Sequence, residues 1–143
     1  VYAMGMSNGG LMAYRLACER PDLVRGIMAV AGTDNTLACN PSRPTPVLHI
    51  HAINDTHVLF EGGAGPDAFR DASKVTEFVS VPATIAKWVR LNGAQETPIR
   101  TLTVDGAYCD LHAAKAGGAP VQLCVTEAGG HSWPGAAKGR RGK

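Results

Sequence analysis

Ser7, His131 and two acids, Asp34 and Asp55, are the side chains here whose types and order along the chain suit nucleophilic catalysis. A serine hydroxyl attacks well only when an imidazole takes its proton and a carboxylate orients that imidazole. Ser7 stands in Gly5-Met6-Ser7-Asn8-Gly9, which fits G-x-S-x-G. The pattern describes a nucleophile elbow, a strained strand-to-helix turn that lifts the serine over the end of a sheet. Glycines two before and two after the serine would let the strand and helix backbones approach closely. A glycine-rich turn that merely contains a serine would look the same, so the flanking elements decide.

Those elements agree. Val1 to Met4 reads as a buried strand, and residues 8–19, NGGLMAYRLACE, read as a helix with apolar Leu11, Met12 and Leu16. Pro21 marks its end, because the residue before a proline avoids the helical region. The runs IMAVA (27–31) and VLHIH (47–51) read as buried parallel strands. Their carboxyl-end loops are where open α/β sheets place ligands. In elbow hydrolases the acid follows the serine and the histidine comes last. Asp34 follows the first run and Asp55 the second, and on this reading both stay open as the acid. Asp34 also suits a plain turn, Gly32-Thr33-Asp34-Asn35. His131 sits in AGGHSWPG after the strand-like VQLCVTE (121–127), in a loop shaped by glycine and proline.

The other histidines read differently. His49 and His51 alternate along one strand face and suit hydrogen-bonded structural roles. His57 lies just past Asp55, and His112 reads as a solvated loop residue after a strand covering roughly Ile99 to Tyr108. A metal reading of His49-Ile50-His51 fails on its own pattern. The H-x-H-x-D-H run of metallo-hydrolases needs Asp and His where this chain has Ile53 and Asn54. No metal site and no cofactor are expected.

The stretches GMSNGGLMAYRLACERPD, RPTPVLHIHAINDTHVLFEGG, SVPATIAKWVRLNGA and GGHSWPG together resemble the polyhydroxybutyrate depolymerase-like esterases, a group that includes feruloyl and acetylxylan esterases. The match runs in order over nearly the whole chain. It implies an α/β fold, the α/β-hydrolase fold from the elbow strand onward, with a mostly parallel sheet and flanking helices. It implies Ser7 as nucleophile, Asp55 as acid and His131 as base. The choice of Asp55 over Asp34 rests on the resemblance, because the family's acid follows an H-I-H-G-x-x-D type run. The implied substrate is an ester, either a poly(3-hydroxybutyrate)-type polyester or a feruloyl or acetyl ester of polysaccharide. The backbone N–H of Asn8, next after the nucleophile, would donate to the oxyanion. Another serine hydrolase on the same fold, or an inactive fragment, is the competing expectation.

Three positions depart from the family pattern. Ala52 stands where glycine is common, Thr56 where proline is common, and Ala94 where a cysteine often follows the asparagine-glycine pair. The family also implies strands before the elbow strand, which would give that strand a neighbour on each side. Residues 1–135 are therefore expected to be the carboxyl-terminal part of one catalytic domain, and residues 136–143 a basic, disordered tail.

Composition adds limits. At 45% apolar and 18% charged the chain is an ordinary globular sequence with no long apolar run, so no membrane partner is expected. Four of its 14 basic residues lie in the last six positions, leaving 10 against 12 acidic ones. A slightly acidic body argues against nucleic acid as a partner. Of the four cysteines, Cys18 and Cys39 are close enough in sequence to bridge, and Cys109 and Cys124 are placed to pair across neighbouring strands or to remain thiols. Even cysteine usage and the resemblance both point to a secreted or periplasmic protein. In the long connection after Asp55, Phe60, Phe69 and Phe78 suit either a pocket lining or anchors for the loop, anchoring being the simpler role. Ser80 and Pro82 open a helix that Gly93 closes, with Trp88 on its core face. Trp133, two residues past His131, suits substrate contact or packing equally.

Overall fold

The computed structural model describes residues 1–68 and 78–135. Phe69 and the basic tail lie outside them. Six strands form one mixed sheet: β1 (Ala3–Met6), β2 (Ile27–Val30), β3 (Val47–Ala52), β4 (Ile99–Val104), β5 (Ala107–His112) and β6 (Val121–Thr126). Their order across the sheet is β1-β2-β3-β6-β5-β4. β1, β2, β3 and β6 run parallel, and β5 and β4 extend the sheet antiparallel. Helices α1 (Asn8–Glu19) and α2 (Val81–Asn92) complete the described elements.

Each helix has a local cause. The Ser80 side chain accepts from the Ala83 N–H, Pro82 sits in the first turn, and Gly93 closes α2 at φ 59°. Val81, Ile85, Trp88 and Val89 then line one buried stripe at helical spacing. Asn92 at the end of α2 clamps the helix to the start of β3. Its amide donates to the Thr45 carbonyl at 2.7 Å and accepts from the Thr45 N–H at 3.1 Å. On α1, Ala13, Tyr14, Ala17 and Cys18 are buried, and they share one apolar cluster with the α2 stripe and with Ile27, Ala29, Val47 and Val121. Tyr14 meets Trp88 ring to ring at 5.8 Å. Both helices thus pack against the same face of the sheet.

Three expectations are corrected here. The first strand begins at Ala3 and is not buried: Tyr2 is 72% and Met4 65% exposed. The cause is position, because β1 is the edge strand and pairs only with β2 among the described residues. The single strand read from Ile99 to Tyr108 is two, β4 and β5, turned at Asp105-Gly106 with Gly106 at φ 76°. His112 consequently ends β5, and its Nδ1 donates to the Gln95 carbonyl at 2.8 Å. Both cysteine pairs are disulfides, Cys18–Cys39 and Cys109–Cys124, the second joining directly opposed residues of β5 and β6. Phe78 is buried and Phe60 packs against the core, so both anchor the loop that follows Asp55.

The approach of β1 to α1 depends on absent side chains. A Cβ on Gly5 would fall within 2.6 Å of the Gly9 Cα, whereas one on Gly9 would meet nothing within 4 Å. Only the first of the two motif glycines is required by its own contacts. Gly5→Ala should therefore destabilise the protein by about 1–3 kcal/mol through overpacking. Gly9→Ala should leave it unchanged or raise it by up to about 1 kcal/mol. Urea midpoints of the two variants, compared side by side, check the order.

The inward side of β3 carries two buried histidines, His49 and His51. Burial, with the neighbouring His51, drives His49 from 6.5 down to about 3, and burial lowers His51 as well. His49 is therefore neutral when folded, while the unfolded chain takes up a proton below about pH 6.5. Unfolding binds protons in that window, so stability should fall steadily as pH drops from about 6.5 toward about 3. A His49→Gln variant should show a shallower decline in unfolding midpoint over the same range, and an equal decline would assign the acid sensitivity elsewhere.

Candidate active site

Ser7 occupies the junction of β1 and α1 at φ 56° and ψ −117°, a conformation rare for a residue with a side chain. Its N–H donates to the Val30 carbonyl at 2.8 Å, and its carbonyl accepts from the Leu11 N–H at 3.0 Å. A Cβ on Gly32, in the loop after β2, would strike the Ser7 carbonyl oxygen and lie 3.2 Å from the Leu11 nitrogen. The turn is thus held by β2 on one side and closed over by a bare backbone on the other. Asn8 opens α1, where a helix leaves its first N–H groups without internal acceptors.

Asp55 lies in the turn after β3 and is 1% exposed. One carboxylate oxygen, Oδ1, accepts from the backbone N–H of His57 at 2.8 Å and of Val58 at 2.9 Å. The other, Oδ2, lies 3.0 Å from His131 Nδ1. Burial alone would raise this carboxyl. The hydrogen bond from His131, the two backbone donors and the attraction of the imidazole outweigh burial and hold it below its ordinary value. The group is ionised and accepts only, so His131 Nδ1 carries the hydrogen. His131 Nε2 is then free to accept from the Ser7 hydroxyl, 3.0 Å away.

The loop bearing His131 is shaped locally. Gly130 adopts φ 63°, and a Cβ on Gly129 would approach Thr126 Oγ1 to 2.6 Å. Ser132 Oγ donates to the Gly129 carbonyl at 2.8 Å. Asn54, the residue before Asp55, accepts the Gly130 N–H at 2.8 Å and ties the two loops together. Sequence reasoning missed Asn54, although its place beside the acid was the available signal.

Asp34 goes elsewhere. Its Oδ2 accepts from Trp88 Nε1 at 2.8 Å and meets Lys87 Nζ at 2.9 Å. Its Oδ1 takes the N–H and hydroxyl of Thr36. It secures α2 to the loop after β2 and makes no contact with His131. Trp133 is 38% exposed and lies outside the apolar cluster. His57, given no role from sequence, stacks its ring on His131 with centroids 4.3 Å apart and planes inclined by 20°. Its Nδ1 is buried with no hydrogen-bond partner among the described residues.

Asp55, His57 and His131 each bring a potential ligand atom within 4.8 Å of the others. Stacked rings keep their in-plane lone pairs side by side, which suits a tetrahedral cation poorly. In the second such group, Cys18, Asp34 and Cys39, both sulfurs belong to the disulfide. What the arrangement offers chemically is a hydroxyl, an imidazole and a carboxylate joined by two 3.0 Å contacts at the start of α1.

No protein-family model matches the chain. It is 29% identical to "Feruloyl esterase B" of Piromyces equi over 140 residues, which is 92% of this chain and 25% of that protein. Against "Putative esterase NocK" of Nocardia uniformis it is 32% identical over 148 residues, 94% of this chain and 42% of the relative. A shorter match, 37% over 62 residues, links it to "Probable feruloyl esterase C" of Aspergillus niger. The chain thus spans less than half the length of each of these relatives. Over nearly all of its own length, however, it is similar to proteins named as esterases, and that similarity supports an esterase family.

Proposed function

We propose that the chain carries the nucleophile, acid and base of a serine carboxylic ester hydrolase with the α/β-hydrolase fold. The observation that supports the reading best is the pair of 3.0 Å contacts through His131, to Ser7 on one side and Asp55 on the other. The parallel order β1-β2-β3-β6, with the elbow, acid and base loops after β1, β3 and β6, is the arrangement that fold requires. The relatives named as esterases favour ester hydrolysis, and those named feruloyl esterases favour an aromatic acyl ester over a polyester.

In this mechanism His131 Nε2 takes the Ser7 proton as Oγ attacks the ester carbonyl. Asp55 keeps Nδ1 protonated and balances the imidazolium that forms. The Asn8 N–H donates to the oxyanion, a contact of a kind whose loss lowers rate about 10²–10³-fold. His131 then returns the proton to the departing alcohol oxygen. Water, activated by the same imidazole, releases the acid and restores the serine. The half-exposed Trp133 beside this loop is assigned to the acyl or alcohol side of the substrate. The two disulfides suit an oxidising compartment, which supports secretion or a periplasmic location. No described helix is long and apolar enough to cross a membrane.

A fluorophosphonate probe applied to the natively expressed protein should label Ser7, and peptide mapping locates the adduct. Label on Ser42, Ser80 or Ser132 instead would overturn the assignment. Ser7→Ala should lower kcat on methyl ferulate by roughly 10⁴-fold or more. Its unfolding midpoint should change by less than about 0.5 kcal/mol, because a partly exposed hydroxyl adds little to stability. Methyl ferulate should be hydrolysed faster than 3-hydroxybutyrate oligomers, and the opposite preference would move the substrate to the polyester class.

The two acids give a separate test. Asp55→Asn should lower kcat by about 10⁴-fold, since the imidazole loses the partner that fixes its tautomer. Asp34→Asn should leave kcat nearly unchanged. It should lower stability by about 1–3 kcal/mol, through the weakened contacts to Trp88 Nε1 and Lys87. Reversed effects on rate would identify Asp34 as the acid.

A further inference from the structure

A buried file of three side chains runs from the helix after the nucleophile to the acid. Tyr14 lies on α1, about two turns past Ser7, and is fully buried. Its hydroxyl is 2.6 Å from His49 Nδ1. His49 Nε2 is 3.1 Å from His51 Nδ1, the two ring planes nearly parallel at 5° with centroids 5.3 Å apart. His51 Nε2 lies 2.8 Å from the Val58 carbonyl and 3.4 Å from Asp55 Oδ2. None of these groups is consumed by the proposed chemistry.

The far end of the file fixes every proton in it. A carbonyl and a carboxylate only accept, so His51 Nε2 carries a hydrogen. Burial keeps both imidazoles neutral, and a neutral ring has one hydrogen. His51 Nδ1 therefore accepts, and His49 Nε2 donates to it. His49 Nδ1 accepts in turn, and the Tyr14 hydroxyl donates. Burial, then the charge of Asp34, pushes Tyr14 well above its ordinary value, so that O–H persists. One set of tautomers satisfies all four groups.

We propose that Tyr14, His49 and His51 form a one-way hydrogen-bonded strut that positions Asp55, with the Tyr14 hydroxyl setting its direction. The proposal rests on the reading of Ser7, Asp55 and His131 as a catalytic triad. Val58 is the joint. Its carbonyl takes the strut's last hydrogen, while its own N–H donates to Asp55 Oδ1. His51 also presents its N–H to Oδ2, the oxygen that faces His131. The strut thus holds the acid's turn in place and tethers it to the helix that begins at the nucleophile. Removing the Tyr14 hydroxyl leaves His49 Nδ1 without a donor in a dry interior. If the rings answer by exchanging tautomers, the lone pair of His51 Nε2 turns against the Val58 carbonyl and the carboxylate. Either response disturbs Asp55 from two rings away, without any contact to substrate.

These three are positioning residues, so the test needs a readout that packing alone would not move. Nitrogen-15 NMR of histidine-labelled protein should find His49 and His51 both protonated at Nε2. A hydrogen at Nδ1 of either ring overturns the strut. In ester hydrolysis Tyr14→Phe should lower kcat about 10- to 100-fold while KM stays within about twofold. His51→Gln, whose amide can still donate toward Val58, should retain more kcat than His51→Leu at equal unfolding midpoint. If Tyr14→Phe lowers the midpoint and leaves kcat intact, the file is core packing and the proposal fails. Ser7→Ala measured in parallel separates the two readings. Should Ser7→Ala retain full activity, the triad is wrong and the strut's role falls with it. Should it abolish activity while Tyr14→Phe leaves kcat unchanged, the triad stands and the strut alone is overturned.

Discussion

Around Ser7, stretches of bare backbone pack against one another where no side chain fits. Ser7 is held at positive φ because strand, helix and the loop after β2 meet where no Cβ fits. Gly5 lies against Gly9, Gly32 closes over the Ser7 carbonyl, and Gly10 faces Gly32 at close range. A conformation of that kind costs about 1–3 kcal/mol and persists only where its surroundings enforce it. Here the Val30 carbonyl and the first turn of α1 enforce it, by hydrogen bonds to the Ser7 N–H and carbonyl. These contacts fix the Ser7 backbone, and its hydroxyl lies 3.0 Å from His131 Nε2.

Two buried acids lie at the ends of neighbouring parallel strands, and their partners set them apart. Asp34 is surrounded by donors from α2 and its own loop: the Trp88 indole, the Lys87 ammonium and Thr36. One oxygen holds its own loop and the other fastens that loop to α2. Asp55 receives two backbone N–H groups on one oxygen and leaves the other for imidazoles. A carboxylate satisfied on one side by its own turn is rigid yet open to a ligand on the other. That difference in donors separates a structural acid from one able to orient a base.

Much of this was legible in the sequence, and the limits have physical causes. Local signals carried the elements well: serine and proline at the start of α2, Gly93 at its end, and apolar spacing between them. The turn at Asp105-Gly106 was equally visible as a hairpin signal, and passing over it merged β4 with β5. The burial expected of the first strand failed because burial is set by neighbours, and sequence pattern says little about which strand lies at an edge. The competition between Asp34 and Asp55 could not be decided from residue types. Both follow a buried strand, and only the donors that converge on each distinguish them. The ordering of Tyr14, His49 and His51 into one hydrogen-bonded file was beyond reach for the same reason. Alternation placed the two histidines on one face, but the partner at each end comes from another element.

The strand order has a consequence for how the molecule is made. β6 is last in sequence among the described strands, yet it lies inside the sheet, between β3 and β5. The serine and the histidine that meet across the site are 124 residues apart, and the acid and that histidine 76. A ribosome therefore releases Ser7 well before His131. Until β6 enters, β3 exposes an apolar edge and the β4–β5 hairpin has no place to dock. Contacts of such long range form slowly, because chain entropy is lost before they can compensate for it. The nascent protein therefore passes through a stage in which Ser7 is present without His131 beside it, and in which the unpaired edge of β3 is open to wrong pairing.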